Sequence, residues 1–433
     1  MQSKSKRQEE SIEKWRSAGG RGIVIATTGF GKSYMAVTLI NKLLAYNKSI
    51  PTDVDYPVIV LVPTNALKDS WNKSLKERCI SPENVWVETI QKMALHSTEV
   101  YKCALLIIDE VHRVASQQFL NVFKFVAFKY FLGLTATINR NDFRDLILTN
   151  KFPVVDNISV EECLENNWIA PVKIYKVYIE PDDIDYYYNH NEKFKEFFNY
   201  FSNDFKVAMK CIGPKGHIGR EEFLRFKYPD ARTEQQKKAV RSIINANVFG
   251  FMNELKIRKS YIYNHPDKIR ITEKIVESLP KSKIITFSKT IKTADKIKPD
   301  VENCFYLHSG KTKKKNHITL QEFNELPYGV INSGKMLEEG ITVPNLNVGV
   351  LVSYDSSRIS MIQKLGRILR YEEGKEALLF ILVIKNTVEE SWLNKAIGNM
   401  SYETLDEEQL DNMLNGKAYI PIVDRKKSYF ITV

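Results

Sequence analysis

Two short runs carry residues whose types and spacing suit phosphate chemistry. The first is Gly22 to Ser33, GIVIATTGFGKS. Ile23, Val24 and Ile25 form a β-branched apolar run that reads as a buried strand. Thr28, Gly29, Phe30 and Gly31 follow as a loop, in which the two glycines permit a tight turn and a close backbone approach to a ligand. Lys32, Ser33 and Tyr34 then open a stretch to Leu44 with apolar residues at helical spacing. Strand, glycine loop, Lys-Ser and helix together make a P-loop. Its N–H groups and helix N-terminus surround phosphate oxygens, Lys32 reaches the terminal phosphates, and Ser33 offers a hydroxyl to Mg²⁺. Ala26 stands where the general pattern has its first glycine. The second run, Asp109-Glu110-Val111-His112, follows the apolar strand Ala104 to Ile108. Downstream of a P-loop, the first carboxylate can hold Mg²⁺ and the second can orient and deprotonate an attacking water. His112 reads equally as a helix-start histidine satisfied by local hydrogen bonds.

These runs need elements to position them. Ser5 to Ser17 is helix-like and ends at Gly19-Gly20. Pro57 to Val62 and Val85 to Val87 read as strands, Leu67 to Arg78 as a helix, and Tyr130 to Leu134 as a further strand. Strands alternating with helices predict a parallel sheet, with ligands beyond the carboxyl ends of the strands. Thr64, Asn65, Thr89 and Gln91 lie at such ends, where the two threonines read also as helix caps. The hydroxyls of Thr135 and Thr137 are placed to link the acid site to a neighbouring domain, and Arg140 follows. Val154 to Pro171, with a helix at Glu161 to Asn166, and the exit strand Val172 to Ile179 are expected to close a first domain, 1–180.

Residues 181–267 break the alternation. Phe194, Phe197, Phe198, Phe201 and Phe205 recur at helical spacing and read as the core of a mostly helical insert. Within it, Cys211 to Arg220 (CIGPKGHIGR) is glycine-rich and basic, either an exposed tip or an ordinary surface loop. Alternation resumes at Lys283, and five strands ending with Ala377 to Ile384 predict a second parallel sheet in a domain spanning 268–398. Arg367 and Arg370 share a helix face. They are either solvated or, opposite a P-loop, stabilise charge on a transferring phosphoryl group. The tail, 399–433, is expected to hold a short acidic helix and a strand at Tyr419 to Val423.

The net charge of +11 and pI near 9.1 fit a polyanionic partner, or a lysine-rich surface that keeps the chain soluble. Five scattered cysteines have no metal-binding spacing and fit a reducing compartment. No signal peptide is expected at the N-terminus, and the longest apolar run, Ala377 to Ile384, is too short to span a bilayer.

In order along the chain these runs resemble the motifs of a superfamily 2 helicase. ATTGFGKS resembles motif I, VPTNAL motif Ia, ETIQ motif Ib, DEVH motif II, LTAT motif III, IITFSKT motif IV, INSGKMLEEGITVPN motif V and QKLGRILR motif VI. Among such proteins the chain is most similar to the XPB, RecG and phage UvsW-type branch. The resemblance implies an α/β fold of two tandem RecA-like domains with a helical insert between them, and ATP and Mg²⁺ in the inter-domain cleft. Arg7 and Gln8 then match the adenine-reading glutamine and its neighbour, and Gly340 of motif V joins the nucleotide contacts. Gln363, Arg367 and Arg370 would complete the catalytic set with Lys32, Asp109 and Glu110. Ser33 and Asp109 would hold the metal, and His112, Thr135 and Thr137 would couple the domains. Thr64, Asn65, Thr89, Gln91, Arg140, Ser288, Ser333 and Lys335 would hold nucleic-acid phosphates. Ile138 and Thr342 depart from the family pattern, where a proline and an acid are usual. The N-terminal accessory domain of UvsW-type proteins is expected to be absent, since Gln8 lies near the start. The implied activity is ATP-driven translocation or unwinding of branched or duplex DNA in repair, recombination or replication, in a bacterial or phage-infected cytoplasm. RNA unwinding and an ATP-switched binding scaffold are the alternatives.

Overall fold

The computed structural model describes residues 2–46, 53–115, 119–137, 145–213, 215–334, 343–357, 361, 364, 366, 376–398 and 400–422. Two all-parallel sheets organise them. The first contains β1 (Arg21–Ala26), β2 (Tyr56–Val62), β3 (Val85–Thr89), β4 (Tyr101–Asp109), β5 (Val126–Thr135) and β6 (Val154–Ile158) in the order β3-β2-β4-β5-β1-β6. The second contains β7 (Val172–Ile179), β8 (Lys283–Ser288), β9 (Cys304–His308), β10 (Gly329–Gly334), β11 (Val348–Leu351), β12 (Ala377–Ile384) and β13 (Glu403–Leu405) in the order β13-β7-β12-β11-β8-β10-β9. Runs such as Val58–Val62 and Leu379–Ile384 are buried on both faces, as parallel strands covered by helices must be. The doubly wound order leaves the P-loop after β1 and the acidic run after β4 on the same sheet edge, with β5 between them. Among the described residues no helix is long and apolar enough to cross a membrane.

Three expectations are corrected. The strand Val172–Ile179 does not close the first domain at 180. It pairs along its whole length with β12, from Val172 opposite Ala377 to Ile179 opposite Ile384, and so belongs to the second sheet. The first sheet is finished instead by β6 beside β1, a strand the sequence reading missed. The tail beyond 398 is not wholly separate, because β13 extends the second sheet beside β7 and the helix Glu407–Leu414 packs on it.

The third correction concerns the glycine-rich run. Cys211 lies in the last turn of the helix Phe205–Ile212, and the helix Gly216–Lys227 begins almost at once. Gly216 and Gly219 are buried, and a Cβ on Gly219 would lie 2.2 Å from the Lys210 carbonyl oxygen. These glycines let two helices cross closely, so the run is not an exposed flexible tip. The insert consists of these two helices with Ile184–Tyr200 and the long Glu234–Asn264, around a core containing Phe194, Phe201, Phe223 and Phe251.

Candidate active site

The P-loop leaves β1 with Gly29 and Gly31 at φ of +91° and +95°, the left-handed region that favours glycine. A side chain at Gly31 would also collide with the amide of Gln8, 2.7 Å from where its Cβ would stand. Gln8, buried on the helix Lys4–Ser17, donates from Nε2 to the Phe30 carbonyl at 2.8 Å. Lys32 opens the next helix and donates from Nζ to the Ala26 carbonyl at 2.9 Å. Ser33 is half-buried beside it, and Tyr34 is exposed with the Arg78 guanidinium 4.4 Å above its ring. Arg7 is not turned to the loop. Its guanidinium is held by both Asp156 oxygens at 2.5 and 3.0 Å, by Glu162 at 2.7 Å and by Ser11, which makes it an anchor of the helix against β6. Those partners push the Arg7 pKa upward and hold Asp156 below the usual carboxylate range.

Across β5, Asp109 ends β4 with its carboxylate buried. It accepts from Trp71 Nε1 and from the Glu110 backbone N–H, each at 3.0 Å. Burial, reinforced by the charge of Glu110, pushes the Asp109 carboxyl above its ordinary range. Burial pushes Glu110 the same way, but His112 and the charge of Lys32 outweigh it and hold Glu110 low. Glu110 itself sits at φ +49°, a costly conformation for a non-glycine residue that aims its side chain away from the regular strand path. Its Oε2 lies 3.3 Å from His112 Nδ1. The same Nδ1 is 2.9 Å from Thr135 Oγ1, whose hydrogen goes to the Thr137 carbonyl at 2.6 Å. Proton bookkeeping therefore assigns the shared hydrogen to Nδ1. His112, Thr135 and Thr137 thus form a hydrogen-bonded chain at the end of β5, with the Glu110 carboxylate in ion-pair range of the ring.

The second sheet reaches this site through Gly366, a helical and buried residue. A Cβ there would stand 2.0 Å from Thr28 Cβ, so its backbone lies directly on the P-loop. Gln363, Arg367 and Arg370 lie outside the described residues, as do Arg140, Lys335 and Gly340. The residues present fit a nucleoside triphosphate with a divalent cation. The glycine cradle has no room for a side chain at Gly31, and Asp109 and Ser33 offer the kind of oxygen ligands a divalent cation takes.

At the other strand ends, the Thr64 and Thr89 side chains cap helices, accepting from Leu67 N–H and Lys92 N–H at 3.3 Å each. Val62 pairs with Thr89, so the two caps are neighbours, with Asn65 and Gln91 exposed beside them. Ser288 and Ser333 sit at the ends of the adjacent β8 and β10, but both are buried rather than displayed. Sequence reasoning missed Trp71, Lys4, Asp156 and Glu162, which have no motif to mark them. For Trp71 the available signal is chemical, since a buried indole N–H must find an acceptor.

Residues 3–85 and 81–140 match the family described as the type III restriction enzyme res subunit, and residues 267–372 match the helicase conserved C-terminal domain. Together the two families span more than half of the chain. A DNA 3'-5' translocase XPB2 of Sulfurisphaera tokodaii is 25% identical over 88% of this chain and 82% of its own length. A putative ATP-dependent RNA helicase of African swine fever virus is 27% identical over 33% of this chain and 30% of its own. In three dimensions the chain resembles Dbp5 of S. cerevisiae, solved with RNA and ADP BeF3, at a TM-score of 0.56 and 13% identity, with 94% of this chain and 91% of that one covered. This likeness establishes the shared fold of two RecA-like domains. With a P-loop in the first domain, buried acids across one strand from it and a helix of the second domain on the loop, the chain belongs to the superfamily 2 helicases and translocases, nucleic-acid-dependent ATPases.

Proposed function

We propose that this protein is an ATP-driven DNA translocase or helicase that works on branched or duplex DNA in repair, recombination or replication. The observation that carries this reading is the contact of Gly366 with Thr28, because it puts the second domain on the nucleotide loop of the first. A cleft built in that way can open and close with each hydrolysis. DNA is preferred over RNA on a relative that spans 88% of the chain, whose printed activity is DNA translocation. The RNA reading draws on relatives aligned over 33% and 41% of the chain.

In this mechanism Ser33 and Asp109 would hold Mg²⁺, and the ion would supply positive charge against the triphosphate. Lys32 exchanges the Ala26 carbonyl for the terminal phosphates. Glu110, kept ionised by its surroundings, orients the attacking water and takes its proton. His112 and Thr135 report the state of Glu110 to the end of β5. To Arg367 and Arg370, which lie outside the described residues, the family resemblance assigns the stabilisation of charge on the transferring phosphoryl group. Thr64, Thr89 and the exposed Asn65 and Gln91 offer donors to a strand crossing the first sheet, contacts that position without reading sequence. Five free cysteines fit a reducing cytoplasm.

Steady-state ATP hydrolysis measured with single-stranded DNA, forked duplex DNA and RNA tests the proposal. DNA should stimulate turnover, with stimulation falling steeply as salt rises. Stimulation by RNA alone would transfer the function to RNA. Turnover indifferent to both would leave an ATP-switched scaffold.

A further inference from the structure

We infer that Lys4 is a positioning residue that couples the P-loop to the segment joining the two domains. Lys4 opens the first helix, and its ammonium donates to two carbonyls from distant parts of the chain. One is the P-loop carbonyl of Gly29, at 2.7 Å, and the other is that of Trp168, at 3.0 Å. No motif marks this lysine.

Both acceptors matter. The Gly29–Phe30 peptide is held at both ends, by Lys4 on its oxygen and by the Phe30 N–H donated to Thr27 at 3.2 Å. The next peptide is held by Gln8 on the Phe30 carbonyl. Because a trans peptide points its N–H opposite its carbonyl, tying the Phe30 carbonyl outward aims the Gly31 N–H to the other side. Lys4 and Gln8, one helical turn apart, therefore fix two successive peptides of the phosphate cradle.

Trp168 lies where the chain leaves the first sheet. Its ring packs on Phe30 with centroids 5.6 Å apart, and its Nε1 donates to the Gln2 carbonyl at 2.9 Å. Ile169 and Ala170 follow, both fully buried, and lead into β7. The Pro171 carbonyl is already bonded to Ala377 of β12, at 2.9 Å. A displacement of the Gly29 peptide thus reaches the second sheet through one cation, three buried residues and Pro171. The charge makes the bridge strong, since hydrogen bonds from a charged donor are about twice as strong as neutral ones. It makes the bridge switchable too. A triphosphate in the cradle adds negative charge near Lys4 and competes with the two carbonyls for it. The inference rests on ATP occupying the P-loop and is indifferent to whether the tracked strand is DNA or RNA.

The test uses the full chain and two readouts. The first is the ratio of nucleic-acid-stimulated to basal ATP turnover, with KM and kcat separated. The second is the fluorescence of Trp168, isolated as the difference between parent and Trp168→Phe proteins, on addition of ADP or a non-hydrolysable ATP analogue. Lys4→Met should lower the stimulation ratio about tenfold, within the usual range of coupling between sites, and abolish the Trp168 response. Lys4→Arg, which keeps the charge, should restore much of both. A Lys4→Met protein with stimulation within about twofold of the parent and an intact Trp168 response overturns the inference. If Lys4→Met fails to fold, Lys4→Gln is read in the same way, and loss of folding in all three variants makes Lys4 purely structural and overturns it as well. A parent protein with no nucleotide response at all would instead remove the ATPase reading beneath.

Discussion

Replacing Gly366 by alanine tests whether the two domains meet in catalysis as they meet in the structure. The added Cβ would stand 2.0 Å from Thr28 Cβ, 2.5 Å from Cγ2 and 2.7 Å from Oγ1. Carbon atoms in good contact sit about 3.5–4.0 Å apart, so about 1.5–2 Å of room must be found. Rotating Thr28 about χ1 moves Cγ2 and Oγ1 but leaves Cβ in place, and Thr28→Ser should therefore not rescue. The backbones have to separate. Within its own helix the substitution is favourable, since alanine exceeds glycine in helix propensity by about 1 kcal/mol. The cost falls on the inter-domain contact alone. A misplacement near 1 Å costs about 10² in rate, and removal of an arginine finger costs about 10³–10⁵. Gly366→Ala should thus lower kcat at saturating ATP and nucleic acid by about 10² or more. Its ATP affinity should stay within a few-fold, because the first domain still offers the cradle. Calorimetry or dye-monitored melting should show Tm within about 2 °C of the parent. A kcat within about threefold of the parent would refute the reasoning, since the contact would then be absent from the hydrolysing conformer.

Three further outcomes follow. Glu110→Gln should cut turnover by about 10²–10⁴ while ATP binding persists, because Lys32, Ser33 and Asp109 remain; single-turnover hydrolysis beside equilibrium nucleotide binding measures the difference. Glu407 binds Arg270 and Lys274, which hold its carboxyl down at about 2, against about 4.3 in an unfolded chain. A depressed carboxylate stabilises fully above its unfolded pKa and loses that contribution as pH falls toward 2. Hydrogen exchange in the helix Glu407–Leu414, corrected for intrinsic rates, should accordingly quicken between pH 4.5 and 2.5, and Glu407→Gln should flatten that dependence. Salt should reproduce part of the effect, since a half-exposed pair is screened. Finally, Lys268 and Glu389 form a fully buried pair at 2.6 Å, and burial pushes the lysine down and the glutamate up. Glu389→Gln should cost about 3–5 kcal/mol in urea unfolding by stranding the lysine, while the Lys268→Met/Glu389→Leu double variant recovers most of it.

The nucleotide site was legible because its signals are local. Strand, glycine turn, Lys-Ser and helix fall within a dozen residues, and the acids follow their strand directly. Signals that depend on distant partners were not legible. Val172–Ile179 reads as a strand, but nothing in it says that its neighbour is Ala377–Ile384 rather than the strand just before it in the chain. Arg7 beside Gln8 reads as a nucleotide contact until Asp156 and Glu162 arrive from the far side of the domain to occupy its guanidinium. Ser288 and Ser333 lie at the expected strand ends, yet burial at a strand end depends on covering loops that periodicity does not report. Glycine misled most plainly. In CIGPKGHIGR the same residue type that signals a turn serves instead to bring the Gly219 backbone against Lys210.

That last point changes what the insert can do. A flexible basic tip could swing freely, but four helices around a phenylalanine core cannot. The insert is also joined firmly to the second domain. Val388 N–H donates to the Tyr187 hydroxyl at 3.1 Å, and Thr290 donates to the Asn264 side-chain oxygen at 2.6 Å. Thr293 donates to the Tyr263 carbonyl at 2.9 Å, and Tyr187, Tyr261 and Ile262 share a core with Val350 and Phe380 of the second sheet. The long helix Glu234–Asn264 runs directly into Pro266–Glu277, with His265 as the only residue between them. Cleft opening and closing must therefore carry the insert as part of the second domain. A strand gripped by the first sheet and touched by the insert would feel the whole inter-domain displacement, with no hinge between to absorb it.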